Sequence, residues 1–253
     1  MVLFTRDGVE RQLQLPTMAI SKLLFVKDEL VAAVVPAVFR TDPENRGFAL
    51  DDTLLRRYDL DGKEQARWFA PEPVPELEPF AAALANEVAA ASDGKTLFLA
   101  SRHRRYRVVA VDSSGKETWH WLGPERTRPE MPGRKEPTPP QELAPEAAAR
   151  FRGLDLPFFV RDVAVAAGLL WVLLSPQVFA GHVVVDVFPL QGQEPLARLQ
   201  LNVKEEKEPG QLAVTKDALW LFPVGEGKPQ AFLRPPEEML QPPRPQDTAA
   251  GGQ

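Results

Sequence analysis

The densest chemistry in this chain lies in six consecutive residues. Arg102, His103, Arg104, Arg105, Tyr106 and Arg107 place four guanidinium groups, an imidazole and a phenol in one short stretch. Guanidinium groups grip carboxylate or phosphate through parallel hydrogen bonds, and a tyrosine ring adds a stacking face. The stretch is read as a binding patch for an acidic partner or an anionic ligand. The plainer reading is a solvated turn whose charge is balanced by nearby acids.

Catalytic chemistry is harder to assemble. The chain has three histidines, His103, His120 and His182, and none has a partner at metal-ligand spacing. No zinc-protease helix motif, nucleophile elbow or phosphate-binding glycine loop is present. The paired acids Asp51-Asp52 and Glu205-Glu206 fall in charged connections that read as solvated. Cysteine is absent, which excludes disulfides, thiolate metal sites, iron–sulfur clusters and cysteine nucleophiles. No catalytic residue, metal site or cofactor is therefore expected. One alternative stays open: a small-molecule sensor or lactonase-like hydrolase that uses a central channel with calcium. Asn86 and Glu87, at the start of an inner strand, come nearest to a ligand pair for it.

The bulk properties narrow the partners. A net charge of -5 over 253 residues argues against general nucleic-acid binding, which needs a basic field. No stretch reaches the roughly 18 to 20 apolar residues of a membrane helix. The longest apolar run, Val163 to Leu174, is broken by Gly168. The N-terminus lacks a basic-then-apolar leader. The compartment is expected to be extracytoplasmic if a leader or upstream sequence is missing, and cytoplasmic otherwise.

The patch must be held by a scaffold, and the scaffold shows itself through a recurring hairpin. Tyr58-Asp59-Leu60-Asp61-Gly62-Lys63-Glu64 returns as Val111-Asp112-Ser113-Ser114-Gly115-Lys116-Glu117. A looser copy runs from Val185 to Glu194, and a stub opens the chain at Phe4 to Glu10. Glycine supplies the positive φ of a tight hairpin, and the preceding Asp favours the turn. Repetition at spacings of tens of residues signals a repeat architecture.

Each unit pairs an apolar hairpin with a more polar one. The apolar hairpins are predicted at 21–35, 87–100, 160–174 and 211–222. Two apolar runs around a short turn read as strands buried on both faces. The outer hairpin of unit two alternates, as 105–111 and 117–122, so one face meets solvent. Four strands per unit, inner pair apolar and outer pair mixed, make the blade of a β-propeller. The expected fold is an all-β, β-propeller-like array of about four four-stranded antiparallel blades with short helical inserts between them. The units lie near 19–70, 86–123, 158–202 and 210–234. Residues 1–16 are a closing or leftover outer hairpin, and 235–253 a disordered tail. A β-sandwich is the competing fold.

Proline, at 26 residues, is about twice ordinary usage and gathers outside the strand-like runs. It marks inserts at 36–52, 71–85 and 124–156. The second is expected to end in a helical turn or two, and the third to hold a short helix at Pro145 to Arg152. Trp119 and Trp121, alternating on one strand, are expected between blades. Trp171 and Trp220 take matching places in units three and four and read as core.

The stretch from Asp93 to Gly123 resembles a bacterial propeller repeat. Its Asp-Gly-Lys-Thr-Leu-Phe-Leu-Ala, Val-Val-Ala-Val-Asp and Ser-Gly-Lys-Glu-Thr-Trp are similar to the NHL-like six-bladed repeat. They are similar also to the quinoprotein-like repeat, in which a docking Trp follows the Gly-Lys pair. Trp119 holds that register, Trp68 sits two residues late, and Leu196 takes the place in unit three. The resemblance implies a disc of radial blades that binds proteins or ligands on one face. The leading expectation is a non-catalytic binding or scaffold propeller with a protein partner, possible as one subunit of a larger assembly.

Overall fold

The computed structural model describes residues 2–4, 10–12, 15, 19–27, 29–40, 47–75, 77, 79–123, 158–175, 182–192, 194–203 and 208–240. Four antiparallel sheets stand around a common axis in the manner of a four-bladed propeller. The first holds β3 (Ile20–Val26), β4 (Glu29–Val34), β7 (Leu55–Tyr58) and β8 (Glu64–Trp68). The second holds β9 (Val88–Ser92), β10 (Leu97–Ser101), β11 (Arg107–Val111) and β12 (Glu117–Leu122). The third holds β13 (Val160–Ala166), β14 (Leu169–Leu174), β15 (Val183–Pro189) and β16 (Ala197–Leu201). The fourth has three strands, β17 (Pro209–Val214), β18 (Ala218–Pro223) and β19 (Gln230–Leu233). The N-terminal β1 (Val2–Phe4) and β2 (Glu10–Gln12) pair with each other.

The turns explain why the hairpin repeats. Asp59 Oδ1 accepts the amides of Asp61 and Lys63, at 3.0 and 2.9 Å. Asp112 Oδ1 accepts those of Ser114 and Lys116, at 2.8 and 3.1 Å. Both glycines then carry the chain through positive φ, 83° at Gly62 and 86° at Gly115. Gly115 has a second duty. A Cβ there would lie 2.5 Å from the indole of Trp68, so the turn of blade 2 seats the tryptophan of blade 1. Trp119 repeats the docking one blade on, its indole N–H donating to the carbonyl of Leu190 at 3.1 Å. Trp68 thus reaches the next blade's turn despite its shifted register.

Strand parity decides how blades stack. Alternate side chains point to opposite faces, so each blade has one face toward its successor and one toward its predecessor. Val31 and Ala33 of blade 1 meet Leu97 and Leu99 of blade 2. Phe98 and Ala100 of blade 2 meet Leu170 and Val172 of blade 3. Trp171 and Leu173 of blade 3 meet Leu219 and Leu221 of blade 4. Each buried Leu or Phe contributes about 1.5–3 kcal/mol, and inner strands are apolar throughout because they serve two interfaces. The outer strands β8, β12 and β16 alternate between half-buried and exposed residues. At the axis β3 lies by β9, β9 by β13 and β13 by β17. Lys22 on β3 reaches Asp162 on β13 at 2.9 Å, and the other Asp162 oxygen accepts the Leu212 amide on β17 at 3.0 Å.

Three points differ from the sequence reading. Trp220 holds the register of the fully buried Trp171, yet it is 36% exposed, because among the described residues no blade packs on that face. The 36–52 insert holds a hairpin arm, β5 (Ala37–Arg40) and β6 (Gly47–Leu50). Helix α1 (Pro79–Ala85), the helical end expected of the 71–85 insert, packs on that arm through Phe80 and Ala83 against Ala37. Beyond β19 a 3-10 turn, Glu237–Leu240, tucks Leu240 into the contact between blades 3 and 4, where a tail was expected. The 124–156 insert, where a short helix was expected, lies outside the described residues, as do 241–253.

Candidate functional site

Blades 1 and 2 do not close completely along their shared edge. An open cleft of about 100 Å³ separates them above the apolar contact. Leu54, Phe69, Val88, Leu99 and Val109 form its floor. Glu72, Arg104, Arg105 and Arg107 form its rim. Phe69 sits at φ 60°, a left-handed conformation that costs a non-glycine residue about 1–3 kcal/mol. Its carbonyl accepts the Leu54 amide at 2.8 Å, which holds the strained residue at the cleft floor.

The rim is built from two connections. The loop between β10 and β11 supplies Arg104 and Arg105, and the first residue of β11 supplies Arg107. The proline-rich segment before α1 supplies Glu72, between Pro71 and Pro73. Asn86 fixes that segment: its Oδ1 accepts the Glu72 amide at 3.0 Å, and its Nδ2 donates to the Glu72 carbonyl at 2.9 Å and to Ala82 at 2.8 Å. The Glu72 carboxylate then stands 2.8 Å from Arg104, 3.6 Å from Arg105 and 3.9 Å from Arg107. Arg107 also donates to Glu117 at 2.9 Å.

The six residues singled out by sequence divide into two groups. Arg104, Arg105 and Arg107 come together on the cleft. Arg102, His103 and Tyr106 turn toward blade 3. Arg102 donates to the Arg161 carbonyl at 2.5 Å and stands 3.3 Å from Glu87. His103 is buried, its ring 4.3 Å from Phe158 and its Nε2 3.5 Å from Glu87. Tyr106 is buried and donates to Asp186 at 2.9 Å, its ring edge-on to Trp121. Burial, with the Asp186 charge beside it, raises the Tyr106 phenol well above its usual range. Asp186 is in turn gripped by Arg198 through two hydrogen bonds of 2.7 Å.

Glu72, Asn86 and Phe69 were not read as parts of this site. The signal for Glu72 was an acid locked between prolines, inside an insert already marked for binding. Asn86, the nearest sequence candidate for a calcium ligand, spends its carboxamide on Glu72 and Ala82. Its neighbour Glu87 faces Arg102 and His103. Among the described residues no group of three His, Asp or Glu is placed to hold a metal ion, and no helix is long and apolar enough to cross a membrane.

No protein family matches this chain, and no curated protein does either. Solved structures resemble it in fold at low identity. The computationally designed Ika8 protein aligns with a TM-score of 0.46 at 12% identity, over 90% of this chain and 50% of that one. BamB from Moraxella catarrhalis aligns with a TM-score of 0.39 at 13% identity, over 79% and 40%. The PQQ-bound aldose sugar dehydrogenase from Streptomyces coelicolor aligns with a TM-score of 0.38 at 16% identity, over 90% and 67%. The chain spans half or less of the first two.

Proposed function

We propose that this protein is a non-catalytic binding propeller that docks another protein in the cleft between blades 1 and 2. The observation that carries the reading is the gathering of Arg104, Arg105 and Arg107 over an apolar floor. Partly exposed guanidinium groups keep donors available to a partner, and apolar floor residues reward apolar side chains that follow. Arginine is also enriched where proteins meet, whereas a merely solvated face has no need of an apolar floor. The channel reading has less support, since Lys22 and Asp162 pair across the axis and Asn86 is already engaged.

The test is a crosslinked native pull-down with the wild-type chain and an R104E/R105E/R107E variant. The expected result is a stoichiometric companion crosslinked to the 102–107 loop or to the segment around Glu72, and lost in the variant at unchanged circular dichroism. A companion retained by the variant, or crosslinked only elsewhere, overturns the cleft as contact surface. A chain without companions in its own extract overturns the binding role.

A further inference from the structure

We infer that Glu72 is an internal occupant of the arginine rim, and that the docking segment displaces it with a carboxylate of its own while seating an apolar side chain on the floor. This rests on the cleft being the docking surface. The class of ligand is then a short extended peptide that alternates acidic and large apolar residues.

Three features of the rim support this. The three arginines share the Glu72 carboxylate; of the three, Glu117 engages only Arg107, and its other oxygen meets His120. Two of the approaches to Glu72, 3.6 and 3.9 Å, exceed hydrogen-bond length, so Arg105 and one nitrogen of Arg107 face Glu72 without gripping it. The Glu72 backbone is pinned by Asn86, but its side chain is 52% exposed. The carboxylate can therefore leave by side-chain rotation, with no movement of the segment.

The energetics set the specificity. Trading one exposed carboxylate for another among the same arginines changes little, because exposed ion pairs are weak. The net gain must come from apolar side chains covering Leu54, Phe69, Val88, Leu99 and Val109. An acidic peptide without apolar residues gains nothing over Glu72. An apolar peptide without acid leaves Glu72 in place and the rim closed to it. The internal occupant is a carboxylate, which favours Glu or Asp over phosphoserine as the matching group.

The experiment is fluorescence polarisation with the full chain and labelled Leu-Glu-Phe-Glu-Leu, beside versions with Gln for Glu, Ser for the apolar residues, and phosphoserine for Glu. Wild type should bind the first peptide and discriminate against the Gln and Ser versions. Glu72→Gln should bind it about three- to fivefold more tightly, and Glu72→Ala should shift it the same way. Arg105→Gln should weaken it about two- to fivefold. Equal or weaker binding by both Glu72 variants overturns the inference, as does preference for the phosphoserine peptide or no binding by any form. These outcomes differ from failure of the docking reading. If the triple arginine variant loses its companion while Glu72 variants change nothing, the cleft stands and Glu72 is only a surface acid.

Discussion

Blade 2 is flanked by two arginine–carboxylate clusters that differ mainly in their exposure to water. Toward blade 3, Asp186 is fully buried and holds both the Tyr106 hydroxyl and the Arg198 guanidinium. Toward blade 1, Glu72 is half exposed and faces three arginines at graded distances. In a dry site a charge pair is stiff, and removing one member strands the other. In a wet site the same chemistry is weak, screened and exchangeable. Burial, rather than residue type, makes one cluster a structural clasp and leaves the other open to water.

The comparison breaks most readily at Asp186. Asp186→Ala strands the buried Tyr106 hydroxyl and removes the two hydrogen bonds that Arg198 makes to this carboxylate. Arg198 is 43% exposed, so water offsets part of its loss. The expected cost is about 3 kcal/mol, the low end for breaking a buried pair. In a chain of this size that lowers Tm by roughly 6–12 °C in a calorimetric scan. A shift of a degree or two would show that the dry cluster is no clasp.

Tyr106→Phe is a smaller cut through the same cluster. It removes one hydrogen bond and leaves the Asp186–Arg198 pair, so about 1 kcal/mol is expected at pH 7. The pH dependence sharpens the test. The native phenol titrates above its ordinary value of 10.0. Above about pH 10 the unfolded chain therefore holds fewer protons than the native one, and stability falls as pH rises. Below that value the contribution is whole. The chain has two tyrosines, and burial raises Tyr58 as well. Denaturant melts between pH 8 and 11 should show a shallower alkaline decline in Tyr106→Phe. An unchanged slope would mean that Tyr106 is not held by Asp186.

Much of the scaffold could be read along the chain, because it is written locally. The Asp-Gly turns, the doubly apolar inner strands and the alternating outer strands each state their role within about ten residues. What lies between blades is not local. Tyr106 and Asp186 are 80 residues apart, and Glu72 and Arg104 are 32 apart; stacking brings them together, not any sequence period. The patch from Arg102 to Arg107 was visible as charge. Its division into a blade 3 group and a cleft group follows from loop geometry that no spacing rule supplies. Trp220 marks the same limit: its register matches Trp171, but burial depends on whether another blade follows.

The smallest effect tests the wet side of the comparison. Arg105 is half exposed and meets Glu72 only at 3.6 Å. Arg105→Gln keeps two of the three stem methylenes and replaces the guanidinium with a neutral amide. Exposed substitutions of this kind stay within about 0.5 kcal/mol, so Tm should move by no more than about 2 °C. Removing a cation also relieves repulsion between Arg105 and its neighbours Arg104 and Arg107, which makes a slight stabilisation the expected sign. That gain should shrink as salt rises from about 0.01 to 1 M, because the Debye length falls from about 30 to 3 Å. A Tm loss near that of Asp186→Ala would mean that the rim arginines hold the blades together, and the contrast between the two clusters would be gone.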